Sequence, residues 1–239
     1  MMESSQGAAV TTNWQLLCMH GWGSDQRAWN GFRRGCELRK WPLRCFERGY
    51  GRFPAAQPDW EGPGRRALLL NSLGMHLVPP QTLAAAEAVV LLASFGRFVP
   101  SGAAGRPLAL ALRRMDERLA AGELPQLFAD FRIRVAEPQP VELLPAGVED
   151  GPVQAQGLAR LRDDLAVLAH CSDLPASFPQ AAPVLLVEAS DDQIVHPLSR
   201  EALRQALPKA TVLPLDGVGH GLMVPSLPAQ VLQWIAELR

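Results

Sequence analysis

One short stretch, residues 66–77, constrains the fold of this chain more than any other. The apolar run from Ala67 to Leu70 stops abruptly at Asn71-Ser72, and Gly74 follows two residues later. A buried strand, a sharp turn that carries a serine and a following helix predict a nucleophile elbow, whose turn pushes the serine hydroxyl out of the sheet. Because this helix passes close to the neighbouring strand, a glycine is expected at position 74. The helix is expected to stop at Pro79-Pro80.

The serine pattern alone is a weak signal. In the usual G-x-S-x-G pattern the first glycine stands where this chain has Leu70. Many buried strands also end at a serine turn that has no chemical role. The role of Ser72 must therefore be inferred from residues elsewhere in the chain.

The remainder of the chain alternates strand-like and helix-like segments. Short apolar runs predict strands at 14–19, 43–47, 67–70, 88–94, 183–188 and 210–215. Helices are predicted between several of them, and an amphipathic helix is predicted over 228–238. This alternation predicts an α/β fold with a mostly parallel sheet covered by helices on both faces. Ligands of such sheets bind beyond the carboxyl ends of the strands.

The segment from about residue 95 to residue 170 has a different character. Two stripes of apolar residues at helical spacing occur there, Leu108, Leu112, Met115 and Leu119 in the first and Leu158, Leu161, Leu165 and Leu168 in the second. Because no strong strand is present, we expect residues 96–170 to form an inserted helical lid over the sheet. The core then consists of residues 13–95 and 171–239, and the polar residues 1–12 form a flexible tail.

Composition argues against several other classes of protein. The formal net charge of −1 disfavours general nucleic-acid binding. No apolar run approaches the roughly 20 residues of a membrane span, and the first residues do not resemble a secretory signal. The four cysteines form no C-x-x-C pair and have no metal-ligand spacing. We therefore expect reduced thiols, a cytoplasmic protein and no metal site.

Three residues with complementary chemistry follow strand-like runs, in the order Ser72, Asp192 and His220. A serine hydroxyl is a poor nucleophile until a neighbouring imidazole removes its proton. The imidazole in turn needs a carboxylate on its other nitrogen, which fixes the tautomer and stabilises the transient positive charge. These three residues are the predicted catalytic residues. From the residue types alone, the adjacent Asp191 could supply the carboxylate instead.

Four motifs together resemble the α/β-hydrolase family. His20-Gly21-Trp22-Gly23 resembles the H-G-x-G loop of that family, and Asp192-Gln193-Ile194-Val195 resembles its acid loop. Gly219-His220 resembles its G-H turn, and residues 66–77 resemble its elbow. The order of nucleophile, acid and histidine is also that of the family.

The resemblance implies the α/β-hydrolase fold and assigns further roles. It implies that the backbone N–H groups of Trp22 and Leu73 form the oxyanion hole. It also favours Asp192 over Asp191 as the acid. No metal and no organic cofactor are implied.

Within that family, the chain is similar to the biotin-pathway esterases that cleave pimeloyl-[acyl-carrier protein] methyl ester. The likeness rests on the H-G-W-G loop followed by Trp29, and on Gly157-Leu158-Ala159-Arg160-Leu161 with Asp173-Leu174 after it. It implies a serine carboxylesterase that releases methanol and pimeloyl-[acyl-carrier protein]. Those enzymes usually show G-W-S-L-G-G at the elbow, where this chain reads L-N-S-L-G-M from Leu70 to Met75.

The sequence leaves other functions open. The same motifs serve thioesterases, small-ester carboxylesterases and carbon–carbon hydrolases or lyases. A non-catalytic ligand-binding homologue is a further alternative. Its only support is Leu70, because a bulky residue at that position could distort the elbow.

Basic residues of the predicted lid suggest a partner. An acyl carrier protein is acidic, so Arg114 and Arg118 are candidates for its docking surface. The alternative is a solvated helix face on which Asp116 and Glu117 form local ion pairs.

The side chain of Trp22 is also open to two interpretations, as a lining of the acyl pocket or as core packing.

Overall fold

The computed structural model describes residues 13–238, and the predicted tail, residues 1–12, lies outside them. Within the described residues, one sheet contains six strands: β1 (Trp14–Met19), β2 (Leu43–Cys45), β3 (Arg65–Asn71), β4 (Ala88–Leu92), β5 (Val184–Ala189) and β6 (Thr211–Leu215). Their order is β2-β1-β3-β4-β5-β6, and every neighbouring pair is parallel. The predicted parallel sheet is confirmed.

Helices cover both faces of the sheet, as predicted. Leu16 and Leu69 pack on one face against helices α1 (Asn30–Arg39) and α7 (Leu227–Glu237). Leu17 and Leu68 pack on the other face against α2 (Pro80–Ala84) and α6 (Pro197–Ala206). Successive strand residues point to opposite faces, so a strand covered on both faces is apolar throughout. This explains the continuous apolar runs of the sequence.

A third apolar cluster involves the part of the chain that connects β4 to β5. It is formed by α3 (Arg106–Ala120), α4 (Leu124–Ala136) and α5 (Ala155–His170), which we call the helical segment. Both predicted apolar stripes contribute to it, since Leu112, Leu119, Leu161 and Leu165 are buried there. Arg97 and Ser172 pair in an isolated antiparallel bridge near its two ends. The boundaries of the predicted lid, 96 and 170, stay a prediction.

Two local features differ from the sequence expectations. The elbow serine opens a short 3-10 helix, Ser72–His76, which ends before Pro79-Pro80 instead of running up to it. Pro80 begins α2, because the first position of a helix does not need a backbone N–H. Helix α4 was not predicted, since its apolar residues do not form one clean stripe and Ile133 is exposed.

The expected glycine at the crossing of the elbow and β1 is confirmed. A Cβ atom on Gly74 would lie 2.6 Å from the carbonyl oxygen of Met19. Any side chain at this position would therefore push the elbow away from the sheet.

In the described part of the chain, the helices are too short or too polar to span a bilayer.

Candidate active site

Ser72 stands at the end of β3 in a strained turn. Its φ angle is 52°, a region that residues with side chains rarely adopt. Ser94 Oγ donates to the carbonyl oxygen of Ser72 at 2.6 Å, and Asn71 Nδ2 donates to the carbonyl oxygen of Leu92 at 3.1 Å. The end of β4 thus holds the turn. Leu70 is fully buried in the apolar layer of the sheet, so the turn forms without a glycine there.

Ser72, His220 and Asp192 lie in one chain of hydrogen bonds. His220 Nε2 is 3.2 Å from Ser72 Oγ, and His220 Nδ1 is 2.9 Å from Asp192 Oδ2. All three residues are buried. When Nδ1 donates its hydrogen to the carboxylate, Nε2 is left to accept the hydrogen of the serine hydroxyl. The structure therefore brings the three predicted residues together in the order that proton transfer requires.

Backbone amides orient the carboxylate of Asp192. Its Oδ1 accepts hydrogen bonds from the N–H groups of Ile194 at 2.8 Å and Val195 at 2.9 Å. Burial raises the pKa of Asp192, but His220 and the two amides outweigh burial, and the net pKa lies below its usual value. Asp191 is exposed, and its carboxylate accepts from Ser190 Oγ at 2.7 Å. The carboxylate that meets His220 is thus that of Asp192.

The loop after β1, residues 20–23, approaches the elbow closely. A Cβ atom on Gly21 would lie 2.9 Å from Ser72 Cβ, closer than two such carbons can pack. Leu73 is the second residue of the short helix that Ser72 opens, and the first N–H groups of a helix have no partner within it. The backbones of Trp22 and Leu73, predicted for the oxyanion hole, thus belong to the two segments that meet at Ser72.

His20 holds this loop from its buried side. Its Nδ1 is 2.8 Å from the carbonyl oxygen of Gly21, and its Nε2 accepts from the backbone N–H of Arg48 at 3.3 Å. Glu47 Oε2 accepts from the N–H of Gln26 at 3.0 Å on the far side of the loop. Because His20 is fully buried and engaged at both nitrogens, it positions the loop.

The helical segment contacts both loops that flank Ser72, which the sequence did not predict. The indole N–H of Trp22 donates to the carbonyl oxygen of Leu161 on α5 at 2.8 Å, and its ring stacks on Phe128 of α4 at 5.5 Å. The N–H of Gly221, next to His220, donates to the carbonyl oxygen of Val135 on α4 at 2.8 Å. The loops on both sides of Ser72 are therefore anchored to the same helices.

A partly buried ion pair adds a third attachment of the helical segment. Arg48 donates to both carboxylate oxygens of Asp164 on α5, at 2.8 and 2.6 Å. The hydroxyl of Tyr50 also donates to Asp164. Burial and this carboxylate raise the pKa of Tyr50 well above its usual value, so the phenol keeps its proton. Arg48 follows β2, so this network joins α5 to the same stretch of chain that holds His20.

A cavity of about 660 Å³ opens at Ser72 and His220, within the size range of small-molecule sites. Its walls are mainly apolar and include Leu108, Leu112 and Met115 of α3. The side chain of Trp22 both lines this cavity and packs on Phe128, so the two interpretations offered by the sequence apply together. The charged residues that line it are Arg27, Arg132 and Arg134.

The two predicted docking arginines have different surroundings. Arg118 forms ion pairs with Glu123 at 3.2 Å and Asp130 at 2.9 Å, both within the helical segment. Arg114 is exposed on α3.

Across residues 13–238, no group of three or more histidine, cysteine or acidic residues has a geometry that could hold a metal ion.

Comparison of the sequence with models of known protein families finds no match. Comparison with curated protein sequences also finds none.

Solved structures match over nearly the whole chain. An esterase from Exiguobacterium antarcticum is 13% identical with a TM-score of 0.71, and the match covers 95% of this chain and 93% of the other. A bromoperoxidase from Bacillus anthracis is 15% identical with a TM-score of 0.65 and the same coverage of both chains. A thermophilic esterase from Thermogutta terrifontis is 17% identical with a TM-score of 0.63, covering 95% of this chain and 89% of the other. At these low identities the likeness shows a shared fold, and the predicted α/β-hydrolase fold is confirmed.

Proposed function

We propose that this chain is a serine hydrolase that acts on carboxylic esters, with Ser72 as nucleophile, His220 as base and Asp192 as acid. The observation that carries this proposal is the hydrogen-bonded chain from Asp192 through His220 to Ser72, which opens into an apolar cavity. The fold it shares with proteins described as esterases adds support, although a fold alone hosts many reactions.

The geometry suits a two-step acyl transfer. His220 takes the hydroxyl proton of Ser72 as the oxygen attacks the ester carbonyl, and Asp192 stabilises the imidazolium that results. The backbone N–H groups of Trp22 and Leu73 are our candidates to bind the negative carbonyl oxygen. His220 then protonates the leaving alcohol. A water molecule activated by the same imidazole releases the acid from Ser72.

The helical segment is our candidate for a lid, with residues 96–170 as its proposed limits. Its helix α3 supplies Leu108, Leu112 and Met115 to the wall of the cavity. An apolar wall binds an acyl or alkyl group by removing its surface from water. This supports an ester with an apolar portion as the substrate class.

Labelling with a fluorophosphonate tests the proposal directly. Such a probe reacts with a serine that an adjacent imidazole activates, and peptide mapping should place the adduct on Ser72. A panel of p-nitrophenyl esters, a thioester and a diketone then separates esterase from thioesterase and carbon–carbon hydrolase. Folded protein that takes up no label at Ser72 and hydrolyses no ester would instead favour a ligand-binding protein.

The loop after β1, residues 20–23, gives a second test of the proposal. In Gly21→Ala, the new Cβ would meet Ser72 Cβ at 2.9 Å, so the loop must move away from the elbow. We expect turnover to fall by about 10², the loss typical of one misplaced oxyanion donor. The matched control is Gly151→Ala, whose Cβ would meet Arg52 Cβ at an ordinary 3.5 Å. Equal rates for the two variants would contradict the proposed role of the loop.

For the substrate itself, we propose pimeloyl-[acyl-carrier protein] methyl ester, with the carrier as a cytoplasmic partner. The support is the sequence likeness to the biotin-pathway esterases together with the exposed Arg113 and Arg114 on α3. Arg114 is the stronger docking candidate, because it is exposed. Arg118 is the weaker one, since Glu123 and Asp130 already engage its guanidinium.

Arg114→Glu tests the carrier. We expect kcat/KM for the carrier-bound methyl ester to fall by about tenfold at low salt, because docking charges act mainly on the encounter rate. Hydrolysis of p-nitrophenyl butyrate should not change, and added salt should narrow the difference on the carrier substrate. An equal loss on both substrates would indicate a damaged helix α3. No loss on either would leave Arg114 as part of a solvated face.

A further inference from the structure

Two cysteines face each other at one edge of the sheet, outside the cavity at Ser72. Cys18 of β1 and Cys45 of β2 are register partners on neighbouring parallel strands. Their Sγ atoms are 3.2 Å apart, with the thiol of Cys18 donating to the sulfur of Cys45. Neighbouring strands lie about 4.8 Å apart, within the roughly 4.4–6.8 Å between Cα atoms that a disulfide bridges. The pair can therefore close with little movement of the strands.

The surroundings shift the pKa values of the two thiols in opposite directions. The hydrogen bond from Cys18 and the charge of Arg33, whose Nη2 is 3.9 Å from the sulfur, lower the pKa of Cys45. Burial and the carboxylate of Glu47 oppose this shift but do not cancel it. Burial raises the pKa of Cys18 well above its usual value. Cys45 is thus the more acidic sulfur of the pair, and Cys18 is the one that holds its proton more firmly.

Of the two residues, Cys45 is the more accessible. β2 is the outermost strand of the sheet on this side, and Cys45 is partly exposed, whereas Cys18 is fully buried behind it. The other two cysteines lack the lowered pKa of Cys45. Burial raises the pKa of Cys36 to about 11, and burial also raises the pKa of Cys171.

We propose that Cys45 and Cys18 form an oxidisable dithiol that reacts with hydroperoxides. With hydrogen peroxide, the Cys45 thiolate attacks one oxygen, so that an S–O bond forms, the O–O bond breaks and the leaving hydroxide takes a proton from solvent to become water; an organic hydroperoxide releases an alcohol in the same way. Cys18 then attacks the oxidised sulfur of Cys45. An S–S bond forms, the S–O bond breaks, and the hydroxide leaves as water with the proton of Cys18. The two sulfurs together lose two electrons, and the peroxide gains them.

This site is separate from the proposed hydrolase chemistry. Neither cysteine lines the cavity at Ser72. The resulting bond would tether the two strands two residues before His20 and Glu47, the residues that hold the loop at Gly21 from both sides. The test uses covalent chemistry as its readout, so its outcome does not depend on which reaction Ser72 performs.

The experiment starts with the reduced full-length protein in buffer without thiols. On addition of hydrogen peroxide, we expect the intact mass to fall by two hydrogens and peptide mapping to find a single Cys18–Cys45 link, which dithiothreitol reverses. In Cys18→Ser, Cys45 should instead stop at the sulfenic acid, which dimedone traps. Oxidation that begins at Cys171, or that carries Cys45 to higher oxides without joining Cys18, would overturn the proposal.

A variant of the neighbouring arginine tests the same site without altering either cysteine. Arg33→Gln should slow alkylation of Cys45 by iodoacetamide about fivefold at neutral pH, because the neighbouring cation favours the thiolate. Arg34→Gln is the matched control, since Arg34 is the next residue of α1 and is exposed. Alkylation of Cys171 provides an internal reference that neither change should affect. Equal rates at Cys45 in the two variants would overturn the assignment.

Discussion

Replacing Ser72 by alanine is expected to abolish ester hydrolysis while leaving the fold intact. The Ser72 hydroxyl is the group that His220 Nε2 contacts at 3.2 Å, and no other hydroxyl takes that place in the described hydrogen-bond network. Removal of such a nucleophile typically lowers kcat by about 10⁶. The turn should survive, because Ser94 bonds the backbone carbonyl of residue 72 and not its side chain.

The measurement is the rate of p-nitrophenyl ester hydrolysis by protein purified from a host strain free of contaminating esterases. Circular dichroism and thermal unfolding should match the wild type within error. Turnover above a few per cent of the wild-type rate would show that Ser72 is not the nucleophile. Loss of the fold would instead show that the strained turn, with its φ of 52°, depends on the hydroxyl.

The second large effect is expected for Asp192→Asn. The amide oxygen can still accept from the N–H groups of Ile194 and Val195, so the loop should keep its shape. The amide nitrogen would then face His220 Nδ1 and donate to it. That contact moves the imidazole proton to Nε2. A protonated Nε2 can no longer accept the proton of Ser72. Such a tautomer change lowers turnover by about 10⁴.

Asp191→Asn is the matched control, because the neighbouring carboxylate is exposed and its recorded side-chain partner is Ser190. We expect this variant to hydrolyse esters at close to the wild-type rate. A pH–rate profile of both variants separates a tautomer effect from a loss of folded protein. If Asp191→Asn were the damaging change, the acid would be the neighbouring residue and the proposed roles in this loop would be wrong.

The candidate site could be predicted because each of its residues lies beyond the carboxyl end of a strand, directly after β3 for Ser72 and a few residues after β5 and β6 for Asp192 and His220. The carboxyl ends of parallel strands meet at one edge of a sheet, so Ser72 after β3 and Asp192 after β5 had to come close. The question raised by Leu70 needed the structure. Its side chain belongs to the strand and points into the apolar layer, so it does not enter the turn.

The attachments of the helical segment could not be predicted in the same way. The bond from Gly221 to Val135 joins two backbones, and a backbone contact leaves no trace in residue types. The stacking of Trp22 on Phe128 joins residues far apart in the chain. Helix α4 carries both contacts, yet its scattered apolar residues gave no single stripe to recognise.

The contacts of Trp22 with Leu161 and of Gly221 with Val135 bear on how this molecule could be engineered. Covering helices are attractive units to exchange between related proteins when a new substrate range is wanted. Here a transplanted segment would replace the partners of both loops that flank Ser72, so a chimera would alter turnover together with selectivity. A successful graft would have to keep the carbonyl at position 135, which accepts from Gly221, and the aromatic ring at position 128, on which Trp22 stacks. Diversification of α3 alone, whose side chains face the cavity, would leave these two anchors in place.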